Sequence, residues 1–178
     1  NISASKKDKK YYDITKRIAS VTYAKKMMAA PVPVKIENLG RKINSKGGDY
    51  APSISVDGRT MVFTSRRSGT KGGGVDRDGD FKYFEDIYIA TLDTINNTWH
   101  KAMPIEGELN TDGHDASLSI SPDGNKIYTY MNDGKSYIGD IFISKKKSSG
   151  SWGTPKPLDK PINSTYIESS ACQSSDGN

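Results

Sequence analysis

Ser117-Leu118-Ser119-Ile120-Ser121, then Pro122-Asp123-Gly124-Asn125, then Lys126-Ile127-Tyr128-Thr129-Tyr130 is the stretch whose reading decides the fold. Small polar and apolar residues alternate on both sides of Asp123-Gly124, the period of a half-buried strand. Asp-Gly between two such runs marks a tight hairpin, because Gly accepts the positive φ that the turn demands. The same phrase stands earlier in the chain. Ser53-Ile54-Ser55-Val56 alternates, Asp57-Gly58 turns, and Thr60-Met61-Val62-Phe63-Thr64 returns.

A hairpin written twice calls for a search of the whole chain for a period, since an overlooked repeat misassigns the entire fold. Three landmarks recur. An apolar-Asn pair stands at Ile43-Asn44, Leu109-Asn110 and Ile162-Asn163. An acid follows five residues after each Asn, as Asp49, Asp115 and Glu168. Asp-Gly follows thirteen residues after each Asn, as Asp57-Gly58, Asp123-Gly124 and Asp176-Gly177. Between the landmarks lie Asp86-Ile87-Tyr88-Ile89 and Asp140-Ile141-Phe142-Ile143, rich in β-branched and aromatic residues and read as third strands. Trp99 and Trp152 each precede the next Asn by eleven residues and mark a fourth, edge strand. Pro-bearing loops, Met103-Pro104 and Pro155–Pro157, then cross to the next unit. The first unit is the longer one, and the surplus sits mainly in Ser68–Glu85.

Four antiparallel strands in about 50 residues describe a propeller blade. The sequence therefore predicts a mainly β chain and a partial β-propeller. Blades span about 43–108 and 109–161, and a third begins at 162–178. The third breaks off inside its hairpin, which predicts a longer parent with more blades and an isolated piece that is unstable or self-associates. Trp99, Trp152, Tyr88, Tyr128 and Tyr130 are expected to fill the core between blades, because large aromatics suit sheet-on-sheet packing.

Ser121-Pro122-Asp123-Gly124-Asn125-Lys126-Ile127-Tyr128 and Asp140-Ile141-Phe142-Ile143 resemble the TolB-type, WD40-like (PD40) propeller repeat. Pro31-Val32-Pro33-Val34-Lys35-Ile36-Glu37-Asn38-Leu39-Gly40, Ile43-Asn44-Ser45, Asp49-Tyr50-Ala51-Pro52 and Phe63-Thr64-Ser65-Arg66-Arg67 are similar to one envelope family in particular. Its members join TPR-type helices to this propeller and end in an OmpA-like peptidoglycan-binding domain, as in the PorE-type lipoprotein of type IX secretion. The resemblance implies about six blades. It also implies a periplasmic, outer-membrane-associated location, partner proteins in an envelope complex, and attachment to peptidoglycan through an OmpA-like domain outside this sequence.

Ahead of the repeats, Tyr11, Ile14, Ile18, Val21 and Met28 fall at three-, four- and seven-residue steps, an apolar helical stripe from about Tyr11 to Ala30. Pro31 and Pro33 stop the helix. Residues 1–30 thus read as one helix, the tail of a TPR-like region by the resemblance, and 31–42 as a linker. A lone helix of this length is marginal in water and is expected to pack against a neighbour. The net charge of +5 is lopsided: residues 1–42 carry eleven Lys/Arg against three acids, and the rest is net negative. Without aromatics interleaved among these lysines, they read as a solvated helix face and not as a nucleic-acid platform. No run of about 18 apolar residues occurs, so no transmembrane helix is expected. The single Cys, Cys172, excludes a disulfide framework within the chain and reads as a small buried residue.

Little points to catalysis. No Gly-x-Ser-x-Gly elbow is present, and Gly72-Gly73-Gly74 is not followed by Lys-Ser/Thr, so neither a serine hydrolase nor a phosphate-binding loop is indicated. His114-Asp115 invites an acid–base reading, yet Asp115 repeats the register of Asp49 and Glu168. Acids recurring once per unit read as structural turns or inter-blade hydrogen bonds, and Asp86 and Asp140 read likewise. No cofactor is expected, with one exception: Asp76, Asp78 and Asp80, alternating in a Gly-containing loop, form the one candidate metal cluster, for Ca²⁺. Calorimetric titration with Ca²⁺ checks it, and an absence of binding heat ends the calcium reading.

Overall fold

The computed structural model describes residues 14–132 and 139–176. The chain divides into two compact units, Asn1–Asn38 and Leu39–Asn178. In the first, helix α1 spans Ile14–Ala29. Its start at Ile14 leaves Tyr11 of the expected stripe outside the described residues. Lys26 in its last turn complements the helix dipole. None of its residues is buried, and Ile14, Ile18, Val21 and Met28 stay exposed.

The second unit is mainly β, built of curled antiparallel sheets. One sheet contains β1 (Asp49–Ile54), β2 (Thr60–Ser65), β3 (Asp86–Asp93), β4 (Thr98–Trp99) and β5 (Met103–Pro104). They are ordered β1-β2-β3-β4, with β5 also paired to β3. The other contains β6 (Ala116–Ile120), β7 (Lys126–Asn132), β8 (Gly139–Lys145) and β9 (Lys156–Pro157), in that order.

The two sheets share their register residue by residue. Tyr50 faces Thr64, Ser53 faces Val62 and Ile54 faces Met61; correspondingly, Ala116 faces Tyr130, Ser119 faces Tyr128 and Ile120 faces Ile127. Each first strand carries one extra residue at the same place, between Tyr50 and Ser53 and between Ser117 and Ser119. A bulge bends its strand and increases the local twist, so both hairpins curl alike. The turns match as well. Gly58 and Gly124 both have φ +71°. Ser55 and Ser121 donate their hydroxyls to Asp57 and Asp123 and accept the N–H of Thr60 and Lys126. The serine hydroxyls, and after them the N–H groups of Arg59 and Asn125, hold the exposed carboxyls of Asp57 and Asp123 below their usual range.

The core sits where the sheets meet. Val62 and Ile87 of the first sheet pack with Ile120, Ile127 and Trp152 of the second, together with Ile105 and Leu109 from the connection. The alternate residues, Met61, Phe63, Tyr88 and Ala90, form a second cluster with Ile43 and Ala102 on the opposite face of the first sheet. Polar contacts join the sheets too. The Ser117 N–H donates to Thr64 Oγ1 at 3.0 Å, and the Ile120 N–H donates to Ser53 Oγ at 3.1 Å. Gly107 (φ +114°) lets the connection run against Trp152, since a Cβ there would lie 2.4 Å from the Trp152 carbonyl oxygen.

Several sequence expectations need correction. The Pro-bearing segments are not crossing loops: Met103–Pro104 and Lys156–Pro157 pair with β3 and β8 as outer strands, where a residue without an N–H is tolerated. The first tryptophan stretch is the fourth, edge strand as expected, Thr98–Trp99 on the outer end of β3, whereas Trp152 makes only isolated bridges and the corresponding strand of the second sheet is Lys156–Pro157. Trp99 and Trp152 are also not equivalent fillers. Trp152 is 2% exposed, whereas Trp99 is half-buried against the second cluster, because the first sheet covers Trp152 and no described sheet lies over Trp99. Tyr88 is buried, but Tyr128 and Tyr130 are only half-buried. Finally, no described residue from 162 to 176 forms a strand, and Cys172 is exposed instead of buried. Gly177 of the third Asp-Gly pair lies outside the described residues.

Truncating a large buried aromatic costs about 3–5 kcal/mol. Trp152→Ala is therefore expected to lower unfolding stability by that much and Trp99→Ala by less than half of it, as read by urea denaturation of the whole chain.

Candidate functional site

The chemistry-bearing residues collect at one end of the sheets, where β1 and β6 begin, β2 ends and β3 and β8 begin. Pairing places Asp49 opposite Ser65 and Ser65 opposite Asp86. In the second sheet Asp140 lies opposite Met131.

Each repeated Asn described beside a third strand closes a strand end. Asn110 Oδ1 accepts the Ile87 N–H at 2.7 Å, and its Nδ2 donates to the Ile87 carbonyl at 3.1 Å. Asn163 does the same for Ile141, at 2.9 Å in both directions. A carboxamide offers one acceptor and two donors, the complement of a peptide unit. Each Asn thus stands in for one residue of a neighbouring strand. Asn44 is half-buried, in the turn where its N–H donates to the Gly40 carbonyl.

The repeated acids clasp the hydroxyl residue that follows each Asn. Asp49 accepts the N–H and hydroxyl of Ser45, Asp115 those of Thr111, and Glu168 the hydroxyl of Ser164. The clasp is common to all three, but the surroundings differ. Asp49 also receives Ser65 Oγ at 2.6 Å and Arg67 Nη2 at 2.7 Å. Burial works to raise Asp49, but these donors outweigh it and hold its carboxyl below the usual range. Arg67 further donates to Ser65 Oγ and the Ile43 carbonyl, and lies 4.2 Å from the Tyr88 ring centroid, capping the second cluster. At the register of Ser65 the second sheet has Met131, which offers no hydroxyl.

Asp115 is therefore left with Thr111 as its donor residue and is 2% exposed. Burial pushes its carboxyl up to about 6, and the nearby Asp86 carboxylate adds to the rise. Asp86 is 1% exposed and is itself raised by burial. One of its oxygens accepts the Lys71 N–H at 2.9 Å; the other, Oδ1, has no partner among the described residues. The Lys71 ammonium is committed to the Asn110 carbonyl at 2.6 Å. Two buried carboxyls and one nearby ammonium can store a proton, and the hydroxyl bonded to Asp115 is that of Thr111 in its own turn.

His114 does not serve Asp115. Its ring lies between Asp76 Oδ2, at 3.2 Å, and Glu85 Oε2, at 3.0 Å, and rests against Phe84. It fastens the long loop between β2 and β3. In the same loop Asp76 accepts the N–H groups of Asp78 and Gly79, and Asp80 takes a two-pronged pair from Arg66 at 2.7 and 2.8 Å. The Arg66 pair is the largest influence on Asp80 and holds it below the usual range. Asp76 and Asp80 are thus engaged by different partners, and Asp78 stays exposed. Among the described residues, no group of three or more His, Cys, Asp or Glu is placed to hold a metal ion.

Sequence reasoning placed the acids and Asn residues but passed over five of their partners. The hydroxyl after each Asn was visible as Ser45, Thr111 and Ser164. Arg67 stood in a motif that carried the resemblance but with no role assigned, and Lys71 carried no signal, since both lie in the unrepeated loop after β2. Compared with protein-family models and with curated proteins, the chain matches none.

The pH consequence of Asp115 follows from its sign. An acid whose carboxyl is raised in the fold binds its proton more tightly folded than unfolded, so stability falls as pH rises from about 4 to about 6. Asp115→Asn is expected to remove that fall, so its stability relative to the parent improves between pH 4 and 7. The two-unit displacement caps the gain at about 3 kcal/mol. Denaturant midpoints measured across that range check it.

Proposed function

We propose that this chain is part of a β-propeller that acts as a non-enzymatic protein-interaction scaffold. One observation carries the reading: the repeated Asn and acidic residues are occupied by their own backbone and hydroxyl neighbours, so the chemistry of the repeat is spent on architecture. The matched register, bulge and Asp-Gly turn of the two sheets, and the core between them, support treating each sheet as a blade. Blades of this kind hold loops rigidly on two faces, and such loops are where binding residues concentrate. The TolB-like motifs favour a periplasmic, outer-membrane-associated protein. In this reading the propeller contacts other envelope proteins of a type IX secretion-like complex, and an OmpA-like domain of the parent holds peptidoglycan. The chain has no helix among its described residues that is long and apolar enough to cross a membrane.

A second reading, a propeller that senses a cation or small ligand, is favoured by Asp86 Oδ1, which has no partner among the described residues, beside Asp115. The scaffold reading ranks ahead of it because the recurring acids have internal partners at all three positions.

Photo-crosslinking residues at the hairpin tips, replacing Asn96 and Ser149 in the full-length protein, test the scaffold reading in the bacterium that makes it. Cross-links to outer-membrane-associated proteins are expected, at the same yield in Asp115→Asn. No cross-link from either tip, or a soluble cytoplasmic location, would overturn it.

A further inference from the structure

Beside the clasp of the first sheet lies an open cavity of about 750 Å³, within the range of ligand-binding pockets. Its cations are Lys46, Arg66, Arg67 and Lys82, and Phe81 and Tyr83 add aromatic surface. No carboxylate lines it among the described residues, although residues 43–178 are net acidic. Two carboxylates pair with these cations. Asp49 pairs with Arg67, and Asp80 is shared between Arg66 and Lys82. Four cations against two carboxylates leave an excess of two positive charges at the cavity.

The site is preorganised. Both guanidiniums are pinned by those carboxylates, and Arg66 Nε also donates to the Tyr83 carbonyl at 2.6 Å. The floor is bare main chain at Gly47-Gly48, where a Cβ on Gly47 would lie 2.2 Å from the Arg66 carbonyl oxygen. Phe81 is 74% exposed and has φ +59°. A bulky residue in the left-handed region is strained, and such strain gathers at ligand-contacting positions. Packing cannot account for a ring so exposed.

We propose that this cavity binds a short acidic segment of a protein partner. Lys46 and Lys82 hold its carboxylates, and an apolar side chain lies against Phe81 and Tyr83. The volume exceeds what a single phosphate fills, and the aromatic wall would be idle against a bare anion. The acidic remainder of the unit repels a long polyanion such as nucleic acid, whereas a local acidic segment meets only the basic cavity. The proposal deepens the scaffold reading by giving the chemistry of one contact, and rests on it.

The probe is a labelled peptide of two aspartates, two glutamates and a phenylalanine, titrated against the whole chain by fluorescence anisotropy. Saturable binding that weakens with salt is expected. Lys46→Glu with Lys82→Glu should weaken it at least tenfold, and Lys146→Glu, remote from the cavity, should leave it unchanged. Phe81→Gly suits the positive φ, so it should keep the melting temperature and lose affinity severalfold. No saturable binding, or no loss in the double variant, overturns the proposal. Inorganic phosphate or a DNA oligonucleotide binding as tightly with the same lysine dependence overturns the peptide assignment. Failure of the peptide while the hairpin-tip cross-links persist would remove this site and leave the scaffold reading standing.

Discussion

A sheet of four or five short strands has two faces and cannot bury both by itself. That constraint governs the second unit. Val62 and Ile87 lie on one face of the first sheet, and Met61, Phe63, Tyr88 and Ala90 on the other. The first face is covered by Ile120, Ile127 and Trp152 of the next sheet. At roughly 25 cal/mol per Å² of apolar area removed from water, a handful of such side chains dominates every polar contact in the unit. Neither sheet is an independent object, and the interior belongs to the pair.

Burial on this scale creates a secondary problem at the strand ends, where peptide groups lose water without gaining a ladder partner. Asn110 and Asn163 answer it with paired hydrogen bonds to Ile87 and Ile141. The clasps of Asp49, Asp115 and Glu168 hold the chain that delivers each Asn. Each bond is worth on the order of 1 kcal/mol net, but a buried peptide group left open costs more. These residues repeat because the geometric problem repeats.

The same clasp produces opposite electrostatics in the two sheets. Asp49 has Ser65 and Arg67, so its charge is favoured; Asp115 is buried, with a methionine at the register of that serine and an acidic neighbour, so its charge is opposed. Equal positions in a repeat therefore do not have equal chemistry. The difference lies in the residues around the motif, which is also where the cationic cavity beside Arg66 and Arg67 arises.

What the residues alone determined was the unit of construction: alternating strands, Asp-Gly turns, and Asn and acid in constant spacing, all of them local or periodic properties. The helix before Pro31 was legible for the same reason. The mainly β character and the positions of the paired strands could thus be read directly. Which segment became the outer strand could not, because Met103–Pro104 and Lys156–Pro157 pair by proximity to β3 and β8 and not by propensity. The unequal burial of Trp99 and Trp152, the turning of His114 away from Asp115, and the meeting of Asp86 with Asp115 were likewise decided in three dimensions. Each depends on which sheet covers which face, a relation between residues distant in sequence that no local pattern encodes.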